Sequence, residues 1–440
     1  MAREFVKGAE KEIKKRSLIY HAVGHGWTCE PFGIEGLGWD PVEDDIDSKT
    51  QEYLAKVDGE RKLWHGVPLN TNLCYSNPEV RDIIVEDIVN YSKEHPQIDV
   101  IQFWLADGSN NQCECDECQQ KLPSDFYIMM LNRLDERLTE EELDIKIVFL
   151  IYVDLLWAPE TERIQNPDRF ILMFAPITRT YSHTFSTDKK LPDIPPYERN
   201  KLKFSPKVED NLALLRSWQG LFEGDSFDFD YHYMWDHYYD PGYYQVAKIL
   251  SDDIKNLKEI GLNGFLSCQT QRAFFPTGLS MYVMGRTLWN KELEFDNLAR
   301  EYFESAFGED WNECKNYFKQ LSELFDPPYL RGEKETVSQE ASEKLSKVCQ
   351  VVDDFRDIID KNLEGQDLGH RASWEYLTYH ADLVCLLGLT LEARAQGNTA
   401  KAKSIWKLTK KYAQEHEDEL QSIFDVFLFI HTIERRLGLS

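Results

Sequence analysis

No stretch of the sequence approaches about 18 apolar residues without a charge, so no segment is a candidate membrane-spanning helix. Pro-, Gly- or Ser-rich tracts and low-complexity runs are also missing, which excludes an intrinsically disordered or fibrous chain. Basic residues are in short supply, 50 Lys and Arg against 77 Asp and Glu, for a net charge of −27. Such a field repels phosphate backbones and anionic lipid, so nucleic acid and membrane surfaces are not expected as partners. The opening MAREFVKGAEKEIKKR lacks the apolar core of a secretory signal, and the expected compartment is the cytoplasm. The 9 cysteines are an odd number, only three of them tightly clustered. A secreted disulfide framework is therefore a poor explanation, and reduced thiols are expected.

What is present suits a folded chain with a sizeable core: 440 residues, 42% hydrophobic and 13% aromatic. The first sixteen residues read as a helix. Runs rich in Val, Ile, Phe and Tyr follow at 18–23, 99–106, 145–153, 169–177, 226–232 and 263–268, each too short for a core helix. Amphipathic segments lie between most of them, at about 78–91, 124–138, 207–222 and 243–260. Alternating strands and helices argue for a parallel sheet covered on both faces. A (β/α)8-type TIM barrel fits best, with six recognisable strands where a closed barrel has eight. No G-x-G-x-x-G or Walker pattern follows the first strand to support a nucleotide-binding open sheet instead. After about residue 290 the strand signals stop, and helices are expected near 294–307, 310–325, 336–364, 371–396 and 399–437. The expected division is a barrel over 1–292 and a C-terminal α-helical domain over 293–440, whose apolar stripes read as bundle core.

In parallel barrels, chemistry sits where strands end and loops begin. Asp107 closes an apolar strand and is followed by Gly108, where the backbone can turn toward a ligand, making it the first choice for a proton donor or base. In Ser226 to His232, period-two alternation sets the aromatics against Asp228, Asp230 and His232, and the polar set is expected to point into the barrel. Buried carboxylates are costly unless paired or used. Asp230 is therefore the candidate nucleophile or second base, with Asp228 and Asp154 in reserve, and a structural network at the barrel mouth is the competing reading. His25, Trp27, Tyr152, Asp154, Arg179, Asp228, His232, Trp235, Gln271 and Arg272 are the candidate substrate-binding residues. Aromatics suit stacking on sugar rings, polar groups suit hydroxyls, and Arg179 and Arg272 suit a carboxylate. Each also has a plainer role, as core aromatic or as salt-bridge partner.

Cys113, Cys115 and Cys118 form C-x-C-x-x-C, and Cys74 in LCYSNPEV is the best fourth ligand for a structural tetrathiolate zinc site, with His65 or Cys29 as substitutes. Free thiols packing a loop are the alternative. A catalytic zinc there is disfavoured, because such a site has no open position for water, and no cofactor is expected to be required for catalysis. Cys268, Cys314, Cys349 and Cys385 read as isolated core residues.

The motifs GHGW (24–27), LCYSNPEV (73–80), Asp107-Gly108 with CECDEC (113–118), and GLSMYVMGRTLW (278–289) carry a resemblance over most of residues 17–310. They resemble a bacterial family of glycoside-hydrolase-like proteins, in which a large barrel domain of unknown function often follows an α-glucuronidase-like N-terminal domain. The resemblance implies a (β/α)8 barrel, a sugar substrate and catalytic carboxylates at the mouth, with Asp107 matching the family's aspartate. It also implies that this chain begins at about the third barrel strand. The two edge strands would then invite closure by a partner that supplies strands, or a homo-oligomer. The expected function is a glycoside hydrolase acting on oligosaccharides, uronic-acid-containing ones included, with two carboxyl groups about 5–5.5 Å apart for retention or roughly 6.5–9.5 Å apart for inversion. The alternatives are a non-catalytic carbohydrate-binding or scaffold protein and, behind it, a metal-dependent hydrolase.

Overall fold

The structure, a computed structural model, describes every residue except 1, 36, 37, 43–45, 366 and 440. Six strands form one sheet in sequence order: β1 (His21–Gly24), β2 (Val100–Phe103), β3 (Lys146–Tyr152), β4 (Phe170–Ala175), β5 (Asp225–Asp230) and β6 (Gly264–Ser267). From β1 to β5 each strand pairs in parallel with the next. The result is a curled half-barrel with β1 and β6 at its edges, and a closed eight-stranded barrel is not present among the described residues. Four of the six strands fall inside runs read from the sequence, and β1 and β5 each extend one residue beyond theirs.

Helices Pro78–Glu94, Pro123–Glu140 and Val208–Gln219 cover one face. The first starts where Asn77 accepts from the Glu79 amide at 3.0 Å, with Pro78 in the first turn, a position that needs no donor. The second starts at Pro123, and the buried Asp125 accepts from the Leu122 amide at 3.1 Å. Alternation assigns the sheet faces. Phe103 and Phe149 meet Tyr127, and Phe149 also meets Trp218 and Phe222, so these strand residues look outward at the helices. Their neighbours Gln102, Val148 and Leu150 therefore look inward. Register carries this across the sheet: Phe149 pairs with Leu172, Ile151 with Phe174, and Phe174 with Asp228.

Asp228 is thus on the outer face, with Phe227 and Phe229 on the inner one, where the Phe229 ring lies 5.6 Å from Trp104. This reverses the expectation that the acids of this strand point into the barrel. Alternation alone does not say which face is inner; the aromatics take the inner face here because Trp104 packs there.

The chain divides into two compact units. One comprises Met1–Arg179, Asp188–Phe229 and Gly261–Gly264; the other comprises Thr180–Thr187, Asp230–Ile260 and Phe265–Ser440. In the second unit one apolar core runs through its helices, from Phe295–Phe307 to Val426–Leu437, with Trp374 and Trp406 fully buried. The Trp374 indole keeps its hydrogen bond by donating to the Phe307 carbonyl at 3.1 Å. The segment 336–364, read as one helix, is two: Gln339–Leu345 and Val348–Leu363. Likewise 399–437 is three: Thr399–Glu415, Glu417–Leu420 and Val426–Leu437. Cys349 and Cys385, expected to be separate reduced thiols, are joined as a disulfide between Val348–Leu363 and Leu368–Ala395. No described helix is long and apolar enough to cross a membrane.

Candidate functional site

In the first unit, the loop after β2 carries Asp107 into a bend at Gly108, whose φ of +80° is costly for a residue with a side chain. The Asp107 carboxylate accepts from three donors: Trp39 Nε1 at 2.8 Å, the Gly108 amide at 2.7 Å and the Tyr152 hydroxyl at 3.0 Å. Tyr152 ends β3, and by alternation with Val148 and Leu150 it reaches in from the inner face.

His25, just past β1, stands edge-on to Trp104 at 5.0 Å and to Trp39 at 6.4 Å. Its Nδ1 donates to the Leu105 carbonyl at 3.0 Å. Burial draws the imidazole below its ordinary value, only partly offset by nearby Asp107. His25 is accordingly neutral near pH 7, with the Nδ1 tautomer fixed by that carbonyl. Deeper on the inner face, Gln102 bonds both His21 and the Trp104 indole, each at 3.1 Å. The cluster thus sets three aromatic rings and an imidazole around one carboxylate, and Trp39 is 57% exposed.

Asp154 joins through the backbone. Its Oδ2 accepts from the Asn110 amide at 2.9 Å and its Oδ1 from the Tyr197 hydroxyl at 3.3 Å. Asn110 sits at φ +54°, a conformation Asn tolerates better than most residues, three positions after Asp107. Asp154 is only 1% exposed, and burial pushes its carboxyl up to about 6, against the hydrogen bonds that favour the ionised form.

Other expected residues lie elsewhere. Trp27 is core: its Nε1 donates to the Gln102 carbonyl at 3.0 Å and its ring meets Tyr91 of the covering helix. Asp228 is buried on the outer face, and Arg179 is buried at the end of its segment.

In the second unit, Asp230 Oδ1 and His232 Nδ1 are 2.6 Å apart, and His232 Nε2 lies 3.8 Å from Asp253 Oδ2. Tyr181 packs edge-on to the imidazole at 4.5 Å and accepts from the Tyr231 amide at 3.1 Å. Asp253 belongs to helix Tyr244–Asn256 and also accepts from Thr184 and the Phe185 amide, both at 2.7 Å. The Asp230 and His232 pair thus forms a fully buried network with Asp253 of helix Tyr244–Asn256. Trp235 stacks on Tyr231 at 5.8 Å. Arg272 is held by Asp425 at 3.2 Å and Glu417 at 3.8 Å, and Gln271 is exposed beside it.

The structure brings Cys74, Cys113, Cys115 and Cys118 together, with all four sulfurs within 4.8 Å of one another. The Lys56 amide donates to Cys113 at 3.3 Å, and Arg61 reaches Cys74 at 3.7 Å.

Trp39, Asn110, Tyr197 and Asp253 were not singled out from the sequence. Trp39 follows Gly38 in a segment without periodicity, and the other three act through partners 43 to 69 positions away.

Among solved structures with a similar course is a GH138 enzyme targeting pectin rhamnogalacturonan II, at 9% identity and a TM-score of 0.45. It matches over 79% of this chain, which spans 58% of that structure's length. Another is a mutant O-GlcNAc hydrolase from Thermobaculum terrenum, at 12% identity and a TM-score of 0.39, covering 83% of this chain and 75% of that one. No curated protein matches the sequence. Residues 41–319 match the family described as Domain of unknown function (DUF4838), and the chain belongs to that family.

Proposed function

We propose that the first unit is a carbohydrate-active half-barrel that hydrolyses glycosides, oligosaccharides bearing uronic acids included. The observation that carries this reading is the Asp107 carboxylate held by Trp39, Tyr152 and the Gly108 amide beside His25 and Trp104. An exposed indole bonded to a carboxylate offers a sugar both a ring to stack on and a charged acceptor for its hydroxyls or its anomeric centre. Asp107 takes the role in contact with the scissile bond, as nucleophile or base. Asp154, with its carboxyl near 6, takes that of proton donor in place of Asp230, because a general acid must keep its proton near neutral pH.

The test is hydrolysis of a panel of aryl glycosides and glucuronides by wild type, Asp107→Asn, Asp154→Asn and Asp230→Asn. Loss of turnover by about a hundredfold or more in the first two variants is expected. Asp230→Asn should instead lower stability, since it weakens the pair with buried His232. Turnover within a few-fold of wild type in both Asp107→Asn and Asp154→Asn would overturn the assignment.

A second reading, saccharide binding without hydrolysis, is favoured by the 1% exposure of Asp154, which keeps that carboxyl from an incoming saccharide. Calorimetric binding of a saccharide by a wild type that releases no aryl group from any glycoside would select it.

A further inference from the structure

We propose that Cys74, Cys113, Cys115 and Cys118 bind one zinc ion as a closed structural site that pins the loop bearing Asp107. Zinc–thiolate bonds of about 2.3 Å place the sulfurs of a tetrahedral site ~3.8 Å apart. Cys74 is 3.6 Å from Cys115 and 3.9 Å from Cys118 at sulfur, and no pair in the set exceeds 4.8 Å. The cluster therefore already has the size of a tetrathiolate shell. Cys74, Cys113 and Cys118 are buried, and none of the four is in a disulfide.

Four thiolates at such spacing repel one another strongly unless a cation sits between them, and a divalent ion still leaves a double negative charge. The surroundings answer that charge: the Arg61 guanidinium at Cys74, the Lys56 amide at Cys113 and the Ser76 hydroxyl 3.1 Å from Cys118. Outer donors of this kind tune and orient metal ligands. Tetrahedral all-sulfur ligation suits zinc, and with every position filled by protein the ion has no place for a reacting water.

The site joins two loops. One carries Cys74; the other runs from Asp107 through Cys118. They are already laced together by the Glu114 amide on the Lys56 carbonyl at 2.7 Å, the Asp107 amide on the Leu69 carbonyl at 2.8 Å, and Asn72 on Asn111 at 2.8 Å. Arg199 clamps the same loop from its other side through the carbonyls of Cys113 and Cys118, at 3.2 and 2.8 Å. The ion closes the far end of this lacing, and Asp107 sits at the near end.

Binding of the ion is independent of any saccharide chemistry, so it is tested without an activity assay. Metal analysis of the full chain purified without chelators should give about one zinc per chain, released by a mercurial thiol reagent. Cys115→Ser and Cys118→Ser should lower that content severalfold. Cobalt taken up in place of zinc should show the intense visible bands of a tetrahedral thiolate site. Hydrogen exchange after zinc is chelated from wild type should rise at 54–77 and 105–121 and stay unchanged in β3 and β4. Iron in place of zinc, no bound metal, or disulfides mapped among the four cysteines would overturn the proposal. Bound zinc whose removal leaves exchange at 105–112 unchanged would overturn the pinning of Asp107.

Discussion

Replacing Asp154 with asparagine should change how stability depends on pH. The Asp154 carboxyl is raised from 3.8 to about 6 in the folded chain, chiefly by burial. The sign follows from proton counting. Between those two values the folded state keeps a proton that the unfolded state has released, so wild-type stability falls as pH rises through this window. Below 3.8 both states hold the proton, and above about 6 neither does, so the difference is constant on either side. The span is about 2 units, which corresponds to about 3 kcal/mol at roughly 1.36 kcal/mol per unit. Asparagine does not titrate, and its side-chain oxygen can still accept from the Asn110 amide. Asp154→Asn should therefore gain on wild type by up to about 3 kcal/mol between pH 4 and pH 7. Urea denaturation of both proteins at half-unit pH steps measures this as a widening gap in midpoint. Parallel curves for the two proteins across that range would refute the burial account of this carboxyl.

Arg331 and Asp236 form a buried pair at 2.6 Å, with side chains 4% and 8% exposed. Arg331→Met removes the guanidinium from that buried aspartate and should cost about 3–5 kcal/mol, read as a lowered denaturation midpoint that adding Asp236→Leu partly restores; a shift below about 1 kcal/mol contradicts a stabilising role for the pair. Trp39→Ala removes an exposed ring and should leave stability within about 0.5 kcal/mol of wild type. It should weaken saccharide binding at least about fivefold, the worth of roughly 1 kcal/mol of aromatic contact, and unchanged affinity by calorimetry would remove Trp39 from the site. Denatured in chelator without reductant, the chain should titrate seven thiols, and nine after reduction. Nine before reduction would show that Cys349 and Cys385 are not bonded.

The strands were legible because all but β5, which alternates aromatics with acids, lie in short apolar runs, and 145–153 and 169–177 are apolar enough to be covered on both faces. The cysteine spacing likewise singled out the four residues whose sulfurs converge. The facing of β5 was not legible. Its aromatics and acids alternate cleanly, but which set looks inward depends on Trp104, which packs on Phe229 from a strand end 125 positions earlier. The breaks near 346 and 416 escaped notice because the apolar stripes run on across them without a proline. Trp39 was overlooked for a related reason: its significance lies in a bond to Asp107, 68 positions away, and nothing local marks it. Cys349 and Cys385 are 36 residues apart on different helices, a separation that no spacing rule connects.

The most direct test of the central claim, that the Asp107 cluster is where a saccharide is held, is backbone hydrogen exchange of the full chain with and without a saccharide found in the glycoside panel. Protection is predicted over 104–112 and 152–154, with none at 230–232. Protection confined to residues 295–437, or spread evenly over the chain, would contradict it.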